Sequence, residues 1–140
     1  MIKIRNIRKT FGENTILRGI DLDVGKGQVV VILGPSGSGK TTFLRCLNAL
    51  EMPEDGQIEF DNERPLKIDF SKKPSKHDIL ALRRKSGMVF QQYNLFPHKT
   101  ALENVMEGPV AVQGKPAAQA REEALKLLEK VGLGDKVNLY

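Results

Sequence analysis

At 140 residues, with 40% hydrophobic and 28% charged residues, the chain has the composition of one globular domain able to bury a core. No apolar run approaches the roughly 20 residues of a membrane span, and no secretory signal precedes the first strand. The net charge of +5 suits an acidic partner or an anionic surface without demonstrating either, and a single cysteine excludes an internal disulfide, so the expected location is the reducing cytoplasm.

Ile2 and Ile4 alternate with Lys3 and Arg5, which predicts a half-buried strand at the start. After a turn at Gly12-Glu13-Asn14, Ile20, Leu22 and Val24 alternate with Asp21 and Asp23, so a second, antiparallel strand runs to Gly25-Lys26-Gly27. Val29-Val30-Val31-Ile32-Leu33 is wholly apolar and reads as a strand buried on both faces of a parallel sheet. It stops at Gly34, and by Lys40 a helical pattern has begun.

Between the two lies G-x-x-x-x-G-K-T, the spacing of a phosphate-binding loop. Gly37 and Gly39 let successive backbone N–H groups close around an anion, and the helix that follows adds its positive dipole end. Lys40 would reach the β- and γ-phosphates, and the Thr41 hydroxyl would take one coordination position on Mg²⁺. A chance Gly/Ser turn is the alternative. An apolar run before, a helix after and an intact Gly39-Lys40-Thr41 weigh against it, so the sequence predicts binding of a nucleoside triphosphate.

Phe43, Leu44, Leu47 and Leu50 continue the helix until Pro53 and Asp55-Gly56, with Cys46 inside it as a packed thiol. Ile58 and Phe60, then Leu66, Ile68 and Phe70, form a hairpin around Asp61–Arg64. The basic stretch 71–86 reads as a solvated helix, capped by Ser75 and Asp78; no aromatic residue interleaves its cations, which argues against nucleic acid. Met88-Val89-Phe90 is a second short apolar strand, followed by an apolar loop from Tyr93 to Lys99. Thr100 and Glu103 make a capping box for a helix carrying Leu102, Val105 and Met106. Pro116 opens the last helix, whose predicted apolar face is Ala120, Ala124, Leu127, Leu128 and Val131, with Glu122 and Lys126 paired outside and Gly132 and Gly134 stopping it. His77 and His98 have no Cys or carboxylate at ligand spacing and read as surface residues.

Three separated motifs together resemble the ATP-binding subunit of an ABC transporter, most like the subfamily serving polar amino-acid uptake. They are Gly34-Pro35-Ser36-Gly37-Ser38-Gly39-Lys40-Thr41-Thr42, then Lys9-Thr10-Phe11-Gly12 with Ile16-Leu17-Arg18-Gly19-Ile20, and Gly87 to His98 with Thr100 and Glu103-Asn104-Val105. The resemblance runs from Met1 to Tyr140 and implies an α/β P-loop NTPase core of the ABC type, with an antiparallel β layer and the start of a helical subdomain. It implies a nucleotide-binding core over 1–92 and, over 93–140, a loop that contacts the membrane subunit together with the helical region. It further implies ATP and Mg²⁺ as cofactors, Phe11 stacked on adenine beside Ile16, the phosphates held by Ser36, Gly37, Ser38, Gly39, Lys40, Thr41 and Thr42, and the metal by Thr41 and Gln91. Gln91 would also position the attacking water. The implied partners are transmembrane permease subunits through 93–98, a second ATP-binding subunit, and indirectly an extracytoplasmic solute-binding protein. The implied site of action is the inner face of the cell membrane.

The family's Leu-Ser-Gly-Gly-Gln signature, its apolar strand ending in Asp-Glu and its later histidine are not found. The expectation is therefore the N-terminal portion of a longer subunit, one that binds ATP without turning it over. The apolar segments 29–33 and 88–90 are then expected to lack neighbours in the sheet, which favours self-association. A small P-loop phosphotransferase and a non-transport ABC-type nucleotide-binding module are the alternatives.

Overall fold

The computed structural model describes residues 1–140, which divide into two compact units, Met1–Met88 and Val89–Tyr140. The first unit is built on the long hairpin of β1 (Ile2–Phe11) and β2 (Asn14–Val24). The phosphate-loop helix α1 is Lys40–Leu47, and β3 (Asp55–Phe60) and β4 (Leu66–Asp69) form a second hairpin. All four strands make one antiparallel sheet in the order β2-β1-β3-β4. A short 3-10 turn, Phe70–Lys72, leads to α2 (Lys76–Arg83).

The pairing of β1 with β2 shifts register in three places, and the first shift sets the core. Ile4 and Ile7 are both buried although they stand an odd three positions apart, because the register shifts between them and Asn6 adopts φ 50. This bulge is held from both sides: the Asn6 N–H donates to Asp21 at 2.6 Å and the Asn6 side-chain amide to Asp55 at 3.0 Å. Across it runs Gly56, at φ +109, where a Cβ would sit 2.7 Å from the carbonyl oxygens of Arg5 and Asn6. Only glycine fits that approach.

The core joins one face of the sheet to α1 and α2 through Ile4, Ile7, Phe43, Ile58, Ile68 and Leu82. Cys46 is buried in it as expected, and that burial pushes its thiol up to about 11.

Four expectations are corrected here. Val29–Leu33 is not a strand: it makes no backbone hydrogen bond, and Val29 and Leu33 are each 86% exposed. A run of valines becomes a strand only where another backbone offers its N–H and C=O groups, and none of the four strands pairs with this one. Ile32 alone packs against the core. Met88–Phe90 is likewise unpaired, with Val89 92% exposed. The helix α1 ends at Leu47 and does not continue to Pro53, because Ala49 turns left-handed at φ 52 and the Leu50 and Glu51 N–H groups both donate to the Arg45 carbonyl. Phe70, assigned to a strand by alternation, opens the 3-10 turn instead.

The second unit packs α3 (Ala101–Glu107), continued by a π-helical turn Gly108–Val112, against α4 (Ala117–Lys130). Leu102, Ala124 and Leu128 are its core. Both expected capping boxes form, Ser75 with Asp78 and Thr100 with Glu103. The tail adds a second device, since the Ala101 and Leu102 N–H groups donate to the carbonyls of Leu139 (2.8 Å) and Val137 (3.0 Å). First-turn donors that a helix leaves free are thus taken by the tail. Of the face expected on α4, Ala120, Ala124 and Leu128 are buried while Leu127 and Val131 are exposed. No helix is long and apolar enough to cross a membrane.

Candidate nucleotide site

The loop from Gly34 to Gly39 leads directly into α1, and its glycines carry the geometry. Gly37 and Gly39 have φ +79 and +89, so the backbone coils in a conformation that L side chains rarely adopt. Gly39 has a second constraint: a Cβ there would lie 2.9 Å from Ile16 Cγ2 and 3.2 Å from Leu17 Cδ2. The loop therefore rests against β2 through a bare backbone.

Gly39 is also the N-cap of α1, and no side chain caps it. The first-turn N–H groups thus stay directed at the loop's concave side, with the positive end of the helix dipole behind them. Lys40, the first residue of the helix, folds back over the loop, its Nζ donating to the carbonyls of Gly34 (2.8 Å) and Pro35 (2.7 Å).

An open cavity of about 300 Å³ is lined by Phe11, Ile16, Ser36, Gly37, Ser38, Gly39, Lys40, Thr41 and Thr42. The hairpin end supplies the apolar wall, and the loop with the first turn of α1 supplies donors, one cation and hydroxyls. This lining holds no carboxylate, so it can bind and polarise a polyphosphate but has no base to deprotonate a water. A larger cavity of about 660 Å³ lies between Met1, Lys26, Asp61, Arg64 and Lys85. It mixes both charge signs and has no coiled glycine backbone, so it lacks the makings of a phosphate site.

Gln91 belongs to the second unit, on an exposed turn near its start. After it, Tyr93 and Asn94 both have positive φ (57 and 55), and Leu95 and Phe96 are exposed. The loop is held by a residue that sequence reading gave no separate role. The Asn104 carbonyl oxygen accepts the Phe96 N–H at 2.8 Å, while its amide donates to the carbonyls of Phe96 (3.2 Å), Lys99 (2.9 Å) and Thr100 (3.0 Å). Lys99 pairs with Glu107 and lies 5.1 Å from the Phe96 ring centroid. Lys9 likewise has no role of its own in the motif, yet its ammonium lies 4.7 Å from the Phe11 ring centroid; its place two residues before Phe11 is the signal in the sequence.

A glycine-built loop at the head of a helix whose first residue is lysine defines a P-loop nucleotide-binding protein. Residues 17–139 match the family described as ABC transporter, and the chain belongs to that family. It is 66% identical over 140 residues to a probable amino-acid ABC transporter ATP-binding protein of Haemophilus influenzae, covering 100% of this chain and 54% of that one. It is 61% identical to the L-cystine import ATP-binding protein TcyC of Bacillus subtilis (100% and 56%) and 47% identical to the glutamine transport ATP-binding protein GlnQ of Escherichia coli (100% and 55%). The chain spans about half the length of these curated relatives.

Among solved structures, the dimeric structure of MJ0796, a bacterial ABC transporter cassette, matches 99% of this chain and 61% of its own, at 36% identity and a TM-score of 0.78. The same cassette in a post-hydrolysis state bound to ADP and Pi gives the same score at 33% identity. The fold is that of an ATP-binding cassette.

Proposed function

We propose that this chain carries the ATP-binding half-site of an amino-acid ABC importer subunit. One observation supports the reading above the others: residues that the motifs nominate from two distant stretches, Phe11 and Ile16 on one side and Ser36 to Thr42 on the other, line a single cavity. The base would stack on Phe11, and the coiled backbone at Gly37 and Gly39 would take the phosphates through N–H donors. Lys40 would exchange the carbonyls of Gly34 and Pro35 for β- and γ-phosphate oxygens. Mg²⁺, where bound, would neutralise charge on the phosphates, with the Thr41 hydroxyl as the protein ligand within this lining and Gln91 as a second candidate.

Hydrolysis coupled to amino-acid import, with permease subunits engaged through 93–98 on the cytoplasmic face of the membrane and a second ATP-binding subunit, completes the proposal. The names of the relatives and the exposed Leu95 and Phe96 support it. Replacing Lys40 by alanine tests the core of the reading. Removing one charge-assisted contact to a phosphate should weaken ATP about ten- to a hundred-fold with unchanged circular dichroism. Equal affinities of the two proteins for a fluorescent ATP analogue would overturn it.

A further inference from the structure

The ring of Phe11 is not a free platform. The Lys9 ammonium lies 4.7 Å from its centroid, over the ring. Lys9 and Phe11 are two residues apart on β1, on either side of a register shift between Lys9 and Thr10, and their side chains meet. The ammonium is fixed in turn by two partners beyond the C-terminal end of α1: it donates to the Met52 carbonyl at 3.0 Å and pairs with Glu51 at 3.1 Å. Only 13% of the Lys9 side chain is exposed, against 45% of Phe11. Phe11 lines the phosphate-loop cavity and Lys9 does not, so the ammonium meets the ring without taking part in the cavity wall.

We propose that Lys9 is a positioning residue for the nucleotide base, holding the Phe11 ring in place and drawing its π density away from the face presented to adenine. The inference rests on the reading of Phe11 as the adenine platform. Its physics is separable from that reading. A cation over one face attracts the ring's electrons toward itself, so the opposite face repels the electron-rich purine less. A cation tied down at two further points also limits how the ring can swing, which lowers the ordering cost of stacking. Glu51 and the Met52 carbonyl are therefore parts of the device: they place the ammonium, and the ammonium places the ring.

The test compares ATP with inorganic tripolyphosphate, which has the phosphates but no base, by calorimetric titration of the whole chain. Lys9→Met keeps an unbranched apolar stem, one atom shorter, and removes the charge. It should weaken ATP roughly two- to five-fold, the size of one cation–π contact, and leave tripolyphosphate unchanged. Lys9→Arg should restore ATP binding, because guanidinium also stacks on aromatic rings. In a Phe11→Ala background the Lys9→Met change should cost nothing further, since it acts through the ring. Melting temperatures of all variants separate binding from folding.

Two results overturn the proposal: a Lys9→Met protein that binds ATP like the parent, or one that loses ATP and tripolyphosphate equally. If Phe11→Ala binds ATP normally, the stacking reading falls and takes this one with it. If Phe11→Ala binds poorly while Lys9→Met binds normally, only the role of Lys9 falls.

Discussion

β1 and the segment Val29–Leu33 meet opposite fates. β1 is half polar, carrying Lys3, Arg5, Asn6 and Arg8, yet it is bonded on both sides and buries Ile4 and Ile7. Val29–Leu33 has no polar side chain, yet it has no backbone partner and is largely open to solvent. Burial here follows from backbone pairing and not from local hydrophobicity. β1 lies between β2 and β3, and its bulge at Asn6 re-aims Ile7 into the core. The valines have dispersion and solvation in their favour but nothing to satisfy their peptide groups.

The most forceful way to break this contrast is to cut into both segments. Ile7→Ala, at a fully buried position, should cost about 2–4 kcal/mol in urea unfolding, while Val31→Thr at an exposed position should stay within about 0.5 kcal/mol. A Val31 substitution as damaging as the Ile7 one would mean that 29–33 is packed in solution.

A smaller effect sharpens the contrast in the second unit, where the exposed apolar loop 95–99 is tied down by a side chain. Asn104→Ala removes three contacts to that loop and one to the Thr100 carbonyl and should cost about 1–2 kcal/mol, with faster chymotryptic cleavage at Tyr93 and Leu95. Hydrogen exchange should find the Phe96 amide slow in the parent and the Val31 amide fast. Equal rates would remove the distinction between a held loop and an unheld one.

The smallest effect is electrostatic. The Ser75 hydroxyl and N–H hold Asp78 below the usual carboxylate range, and the Thr100 N–H and hydroxyl do the same for Glu103. Because both are lowered in the folded state, the caps contribute fully above about pH 5 and lose their contribution below about pH 4, as protons bind. Helicity followed by circular dichroism should therefore fall in acid, and Glu103→Gln should flatten that fall. An unchanged acid profile in Glu103→Gln would show that the cap carries none of it.

The local features of this fold were legible in the sequence because their causes are local. Ser75 with Asp78 and Thr100 with Glu103 satisfy helix donors three residues away, so spacing alone revealed them. The hairpin of β1 and β2 showed in its alternation, and the phosphate loop in its glycines. What failed depended on distant partners. Nothing within Val29–Leu33 says whether a neighbouring backbone exists, and nothing in the Leu44, Leu47 and Leu50 spacing announces the left-handed turn at Ala49. The site followed the same division. Motif spacing nominated the residues from Phe11 to Thr42 that share a cavity, whereas the ammonium over Phe11 needed Glu51 and Met52, more than forty residues on, to be fixed. Asn104 was visible as a letter in a motif, but its four backbone contacts were not.

The buried thiol gives this molecule a chemical clock. Cys46 is the chain's one cysteine and lies on α1, the helix whose first turn frames the phosphate loop. With its thiol pushed up to about 11 by burial, only about one closed molecule in a thousand carries a thiolate at pH 8, and opening returns the thiol to its ordinary, reactive range. The rate at which a thiol reagent labels this chain therefore counts excursions in which α1 leaves the core, without any substitution being introduced. A ligand that tightens the loop at the head of that helix must slow the count by the ratio in which it stabilises the closed form, so nucleotide binding becomes readable as elapsed time at a residue the nucleotide never touches.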